Sequence, residues 1–408
     1  MMKDIAIKPA EIILPDTSDM TAWACIACDQ FTSEINYWKK LESEVKGKPT
    51  TLDLIFPEIY LADDPDGRIK RINENIKEYE KNGIFKTLPK GYILTVRTTP
   101  FVKRRIGLIG AIDLTRYDFM AGATPQVRAT EGTIEERIPP RLKIRKDADV
   151  EFPHIMVLFD DEKREINEEL YARRNEFEKL YDFTLNMGGG RVEGYFISDC
   201  DLIEKKFAAL LDSERLIKKY GKDDKFLFAV GDGNHSLATA KRHFEKVTEN
   251  LSEEEKLNHP ARYALCEFNN IYDEGIYFEP IFRFVKGVNK EKFIKGLNGL
   301  DIGNAAIYSG ELKNVLGALD IPSGIKSADE YIKKYISENG GEVDYIHGES
   351  NLKELVDNTP DSVGIIFNKI QKEDLFKYVV NNGPFPKKTF SMGEGIEKRY
   401  YLEGRKIR

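Results

Sequence analysis

The clearest periodicity lies between Arg68 and Lys81, where Ile69, Ile72, Ile76 and Tyr79 recur at three- and four-residue steps. That spacing predicts a helix with one apolar face. Asp64-Pro65-Asp66-Gly67 ahead of it is a turn signal, because Pro presets one turn dihedral and Gly accepts positive φ. Asn82-Gly83 behind it is the expected C-terminal cap. Ile5 to Leu14 is short and β-branched, and Tyr92 to Val96 and Ile106 to Leu114 are rich in Ile, Val and Leu, so strands are predicted there. Pro153 to Phe159 (PHIMVLF) reads as a buried strand. Glu165 to Leu180 reads as a charged amphipathic helix and Leu202 to Tyr220 as another. Gly188-Gly189-Gly190 is a break before the apolar Tyr195-Phe196-Ile197. Lys225 to Val230 predicts a strand, and a helix follows from about Leu237 to Asn250. Arg262 to Val285 reads as two strands joined by an Asp273-Glu274-Gly275 turn. Helices at Lys290 to Leu300 and Lys372 to Val380, with strands at Val343 to Ile346 and Val363 to Phe367, complete the pattern.

Helices and strands interspersed in this way favour a mixed α/β (α+β) protein over a pure doubly wound sheet. The 408 residues suggest two to three domains. We divide them into an N-terminal α/β region (1–100), a core (101–289) and a C-terminal α/β region (290–408). Hydrophobic residues at 41% and charged residues at 32% exclude a disordered or collagenous chain. The longest apolar runs, such as Phe226-Leu227-Phe228-Ala229-Val230, fall far short of the roughly 20 residues of a membrane helix. No apolar signal core follows the start MMKDIAIKPAEIILP, so a cytoplasmic protein without a membrane partner is expected. Lys plus Arg number 62 against 69 Asp plus Glu, a net charge of −7, which argues against a nucleic-acid partner. Four cysteines in so long a chain do not make a disulfide framework.

The stretch that carries chemistry is Val230-Gly231-Asp232-Gly233-Asn234-His235-Ser236, followed by LATAKRHFEKV. An apolar strand enters it, and a helix leaves it with Leu237, Ala240, Phe244 and Val247 on one face. The two glycines let the backbone approach a ligand closely. Asn234 or Ser236 is a candidate helix cap. The free N–H groups and the helix dipole make such a turn an anion site, to which His235 and Lys241 would add donors or charge. The alternative is a plain capped turn with His235 bonded to a carbonyl. Neither a G-x-x-x-x-G-K-[ST] loop nor a complete dinucleotide fingerprint occurs.

This motif resembles the D-G-H-H-R-x-x-x-A signature of the domain-of-unknown-function 1015 family. Further segments follow in the family's order: Arg128-Ala129-Thr130-Glu131-Gly132-Thr133 with Pro140-Arg141-Leu142, then Pro153 to Asp161, Glu279 to Val285, and Pro386 to Phe390. Asn234 stands where the family has the first His of its pair, Ser236 where it has Arg, Thr130 before the Glu, and Phe282 in P-I-H-R. The family is similar in this motif to the ParB/sulfiredoxin-like superfamily, whose members include a CTP-dependent DNA-partition clamp, an ATP-using sulfinic-acid reductase and free-serine kinases. The resemblance implies a ParB-like core and a nucleotide or phosphometabolite site at Gly231, Asp232, Gly233, Asn234, His235 and Ser236. It leaves open a kinase that uses ATP or ADP, with Mg²⁺, on a small hydroxyl metabolite such as free serine. A non-catalytic nucleotide switch and a small-anion-binding protein stay open beside it.

In the kinase reading Glu131 is the general base, and Asp232 and His235 join it as catalytic candidates. Asp232 would alternatively hold Mg²⁺. Arg128 and Arg137 are candidates to neutralise phosphate charge, with Arg141 as a further one. The competing reading of this segment is a helix start, with Thr133-x-x-Glu136 as a capping box. Cys25-x-x-Cys28 reads as buried strand rather than redox or zinc site, since Cys200 and Cys266 are isolated. Asp29 and Gln30 just after it would sit at a strand end and are candidates for substrate contact. The spacing of the histidines suits no metal. Asp160-Asp161 reads as a helix N-cap before a Mg²⁺ ligand, and Lys387-Lys388-Thr389 as a solvated basic patch.

Overall fold

The computed structural model describes residues 4–120, 122–132 and 138–408. The chain forms two units: Met1–Ile276 with Val380–Asn382 and Glu394–Arg408, and Tyr277–Val379 with Gly383–Gly393. Position 100 lies between two neighbouring strands of the first unit's sheet.

The first unit is organised by strands that are apolar on both faces. Labelled strands of its sheet are β1 (Phe85–Thr98), β2 (Arg105–Asp113), β3 (Val127–Ala129), β4 (Ile155–Phe159), β5 (Glu178–Thr184), β6 (Arg191–Ile197), β7 (Phe228–Asp232) and β8 (Tyr263–Asn270). Every residue of β2 is buried: Ile106, Leu108 and Ile112 enter one core while Ile109 and Ala111 enter the other. Side chains alternate across a strand, so such a strand belongs at the centre of a sheet covered on both sides. The order is β5-β6-β1-β2-β8-β4-β7-β3, ending on Tyr117–Asp118, in an eleven-stranded sheet. Most neighbours are antiparallel, but β8/β4 and β7/β3 run parallel.

The periodic helix is α1 (Pro65–Lys81), capped by Asp64, whose carboxylate accepts from the Gly67 N–H at 3.1 Å. Two further helices matter below: α2 (Ile138–Arg145) and α3 (Asn234–Val247). The last residues of the chain return to this unit. Tyr400–Tyr401 pairs with Cys25–Ile26, and the Trp23 indole donates to the Leu402 carbonyl at 2.9 Å.

The second unit holds β9 (Phe278–Lys286), β10 (Ala305–Tyr308), β11 (Leu312–Val315), β12 (Glu342–His347) and β13 (Ser362–Phe367), in the order β11-β10-β13-β9-β12 and antiparallel throughout. Phe282 and Phe284 pack with Leu352 and Val356 of α5 (Glu349–Asn358). Val285, one position out of phase, packs with Ile325, Ala328 and Ile332 of α4 (Ile321–Asn339).

The mixed α/β class is what the structure shows, and three local expectations are corrected. The helix expected over Glu165–Leu180 is only Asn167–Ala172 plus a short 3₁₀ turn. The rest becomes β5, drawn into a hairpin with β6 around the positive-φ glycines Gly188 and Gly190. The single helix over Leu202–Tyr220 is two, Cys200–Ala209 and Ser213–Tyr220, because Asp212 caps the second by accepting from the Arg215 N–H. The two strands of Arg262–Val285 are β8 and β9, which lie in different sheets rather than forming a hairpin. The nineteen-residue α4 is a further helix, which the spacing of apolar residues does not predict.

Candidate functional site

The Gly231 turn is built as strand, left-handed glycine and helix. Gly231 and Asp232 end β7, and Gly233 occupies the N-cap of α3 at φ 79°. A side chain at Gly233 would be strained by that dihedral, and its Cβ would lie 3.1 Å from Ile155. Asn234 and Ser236 are therefore not the cap. No side chain caps α3, and the Asp232 carboxylate instead accepts from the Gly233 N–H at 3.0 Å. All six residues from Gly231 to Ser236 are half-buried. His235 gives its carbonyl to the Thr239 hydroxyl at 2.7 Å.

Strand direction assembles the surroundings. Because β3 runs parallel to β7, with Ala129 opposite Val230, both strands end on the same edge. The Thr130 hydroxyl locks that edge by donating to the Val230 carbonyl at 2.7 Å, and half-buried Glu131 follows directly. Because β4 runs antiparallel to β7, with Met156 opposite Asp232, the start of β4 lies at that edge too. This brings in His154, which is 3% exposed. Its Nε2 lies 3.7 Å from the Asp29 carboxylate, and its ring meets Tyr401 edge-on at 5.1 Å. Gln30 donates to Asp29 at 3.0 Å. The returning C-terminal segment adds Lys398, whose Nζ is 3.5 Å from Asp232 Oδ2.

Three buried polar atoms of this group have no hydrogen-bond partner: His154 Nε2, Asp232 Oδ2 and Asn234 Oδ1. Buried polar groups are nearly always bonded, so such a cluster is where a ligand atom fits. The electrostatics are those of an ion pair. Burial pushes the His154 imidazole down, but Asp29, and more weakly Asp232, hold it above its ordinary value. Burial likewise opposes the charge on Asp29, but His154, with Gln30 and Lys398, holds the carboxyl below the usual carboxylate range.

Lys398 is held in place by buried arginines. The Arg97 guanidinium donates to the carbonyls of Ile396 (2.9 Å), Glu397 (3.1 Å) and Lys398 (2.6 Å), and Arg105 donates to that of Glu397 at 2.9 Å. Arg399 pairs with Glu403 and Glu267 at 2.6 and 3.2 Å.

Several candidates lie elsewhere or are otherwise engaged. Arg128 makes a two-pronged pair with Asp224, donates to the Pro125 carbonyl at 3.0 Å and stacks on Phe226 at 4.8 Å. Arg141 pairs with Glu58. Lys241 donates to the Leu114 carbonyl at 3.0 Å. Arg137 and the Thr133-x-x-Glu136 box lie outside the described residues. Asp160 is bound by Lys219 and Tyr220, and Asp161 accepts from the Ile166 N–H at 2.9 Å. Lys387 and Lys388 lie in the second unit, where their carbonyls accept from Arg283. Cys25 and Cys28 carry free thiols that burial pushes up, that of Cys28 to about 12. No cluster of three or more His, Cys, Asp or Glu suited to a metal occurs among the described residues. No described helix is long and apolar enough to cross a membrane.

Comparison with known proteins gives a family and a distant likeness. No curated protein matches the sequence. Among solved structures, a conserved hypothetical protein from Pyrococcus furiosus superimposes with a TM-score of 0.38 at 11% identity, over 71% of this chain and 92% of that one. A free serine kinase in complex with AMP gives 0.40 at 11% identity, over 73% and 91%. The protein SbnI from Staphylococcus aureus, truncated at its C-terminus, gives 0.35 at 8% identity, over 70% and 82%. Likeness of this degree carries no argument about function. Residues 7–339, which include the labelled strands of the first unit, the turn and the Glu131 and His154 segments described above, match the family described as "Protein of unknown function (DUF1015)". The chain belongs to the DUF1015 family.

Proposed function

We propose that this protein binds the phosphates of ATP or ADP, or of a phosphorylated metabolite, at Gly231–Ser236, and that it transfers a phosphoryl group between a nucleotide and a small hydroxyl metabolite of the free-serine class. The observation that carries this reading is the uncapped start of α3 beside three buried polar atoms that lack a hydrogen bond. Backbone N–H groups at a helix start, with the dipole behind them, favour a bound anion. Lys398 places an ammonium at the same edge, 3.5 Å from Asp232 Oδ2. Glu131, at the parallel strand end, is the group we assign to take the proton of the attacking hydroxyl. Arg128 has no part in this reading, because Asp224 already holds its guanidinium.

Asp232 Oδ2, buried and without a hydrogen bond, though Lys398 Nζ stands 3.5 Å away, would offer one carboxylate to Mg²⁺, an ion that takes one or two carboxylates and fills its shell from water and phosphate. When bound it would neutralise phosphate charge. In this reading residues 101–289 hold a ParB-like core, the protein works in the cytoplasm, and its partner is a small molecule rather than nucleic acid.

The test is a thermal-shift panel of ATP, ADP, AMP and phosphometabolites, with and without Mg²⁺, followed by turnover assays. A ligand at about 100 times its Kd stabilises the fold by about 2.7 kcal/mol. Gly233→Val is expected to abolish the shift, and His235→Ala to reduce it in a folded protein. A silent panel on the folded wild type overturns the site. Binding without hydroxyl-dependent turnover replaces the kinase by a nucleotide-binding switch.

A further inference from the structure

A cleft of about 260 Å³ lies between α1 and the segment 52–60, and it shares no residue with the site around Asp232. Ile72, from the apolar stripe of α1, forms its floor with Ile55, Phe56 and Pro57, all buried. Charges of both signs stand around that floor. Arg71 is 57% exposed and meets Asp64 only at 3.5 Å, and exposed pairs of this kind hold weakly. Arg68 stacks on Tyr60 at 4.1 Å. Glu42 and Asp53 also line the cleft, and they accept from the hydroxyls of Tyr60 (2.9 Å) and Tyr79 (2.7 Å). Neither carboxylate forms an ion pair among the described residues.

We propose that this cleft binds an amino acid with an apolar side chain. The ligand's carboxylate pairs with Arg71, the more exposed and loosely held of the two guanidiniums, in the two-pronged geometry that an arginine offers. Its ammonium meets Glu42 and Asp53, which have hydroxyl partners but no cation. Its side chain covers the Ile55, Phe56, Pro57 and Ile72 floor, removing apolar surface from water. The two carboxylates select against a ligand that carries only negative charge. The volume agrees, being below the roughly 300–1,000 Å³ of pockets that take drug-sized molecules.

The experiment is titration calorimetry of the full chain with L-leucine and L-phenylalanine. Two analogues of leucine each lack one charge, 4-methylpentanoate and 3-methylbutylamine. Saturable binding of an amino acid is expected, weakened about tenfold or more in each analogue and in Arg71→Ala and Asp53→Asn. Both substitutions are at exposed positions, so the fold is kept, and circular dichroism checks this. The proposal is overturned if neither amino acid binds at millimolar concentration. It is also overturned if the single-charge analogues bind equally well, or if binding survives Arg71→Ala and Asp53→Asn but is lost in Lys398→Met, which would place it at Asp232.

Discussion

Arg283 in the second unit and the Asp232 group in the first both bury charge, with opposite outcomes. Arg283 is fully buried and its donors are spent: two on Asp329 at 2.8 and 2.7 Å, others on the carbonyls of Ile281, Lys387 and Lys388. Tyr345 and Phe367 flank its plane at 5.1 and 5.4 Å. At Asp232 the nearest cation stands at 3.5 Å, and His154 Nε2, Asp232 Oδ2 and Asn234 Oδ1 lack hydrogen bonds. A buried charge with every bond made is part of the scaffold. A group left with open bonds is shaped for something that arrives later.

The largest expected effect is on the satisfied side. Arg283→Met strips Asp329 of its cation and three carbonyls of their donor, and is expected to cost about 3–5 kcal/mol in denaturant unfolding. A loss below 1 kcal/mol would erase the contrast. Arg128→Met is next, at about 1.5–3 kcal/mol, with nucleotide affinity unchanged. Loss of nucleotide binding in that variant would return Arg128 to the site.

His154→Gln gives a smaller effect with a defined pH course. The imidazole is held above its ordinary 6.5, so its contribution is complete below that value and fades as pH rises through the folded one. The Asp29 carboxyl is held below its ordinary 3.8, so its contribution is present above that value and is lost as pH falls through the folded one. The stability gap between wild type and His154→Gln is therefore expected to be widest between these ordinary values and to narrow on the alkaline side. A gap that widens with alkali would show that His154 is neutral in the fold. Lys241→Met is expected to change stability by no more than about 0.5 kcal/mol and nucleotide affinity not at all.

What could be read beforehand follows from how local each signal is. The α3 turn and the α1 helix are set by neighbours within a few residues, and glycine, proline and apolar spacing announce them. Glu165–Leu180 has helical spacing, but Glu178 and Lys179 at its end pair with β6, and a tertiary partner overrides local preference. The long α4 is masked at its start by Pro322 and Gly324. Pro suits the first helical turn, and Gly324 is needed because a Cβ there would meet the Ile302 carbonyl. At the site, Asp29 could be picked out because it ends an apolar strand pattern. His154 lies inside an apolar strand pattern and shares no metal spacing with the other histidines, so nothing local marks it. Lys398 carried no local mark, since only the arginine-held C-terminal segment places it at Asp232. The buried pairing of Arg128 was equally invisible, because Asp224 is 96 residues away.

The return of residues 394–408 to the first unit has a kinetic consequence. Trp23 and Leu402, joined by a hydrogen bond, are 379 residues apart in the chain. Synthesis exposes Trp23 long before Leu402 exists, so the unit that begins first is sealed last. Closing so long a loop adds little to the equilibrium cost, which grows only with the logarithm of length, but contacts of such range slow folding. Until Tyr400–Leu402 arrive, the strand Cys25–Ile26 keeps an unpaired edge beside apolar surface. Residues 400–402 of a second chain would fit that edge equally well, so exchange of this segment between chains is the misassembly expected at high concentration.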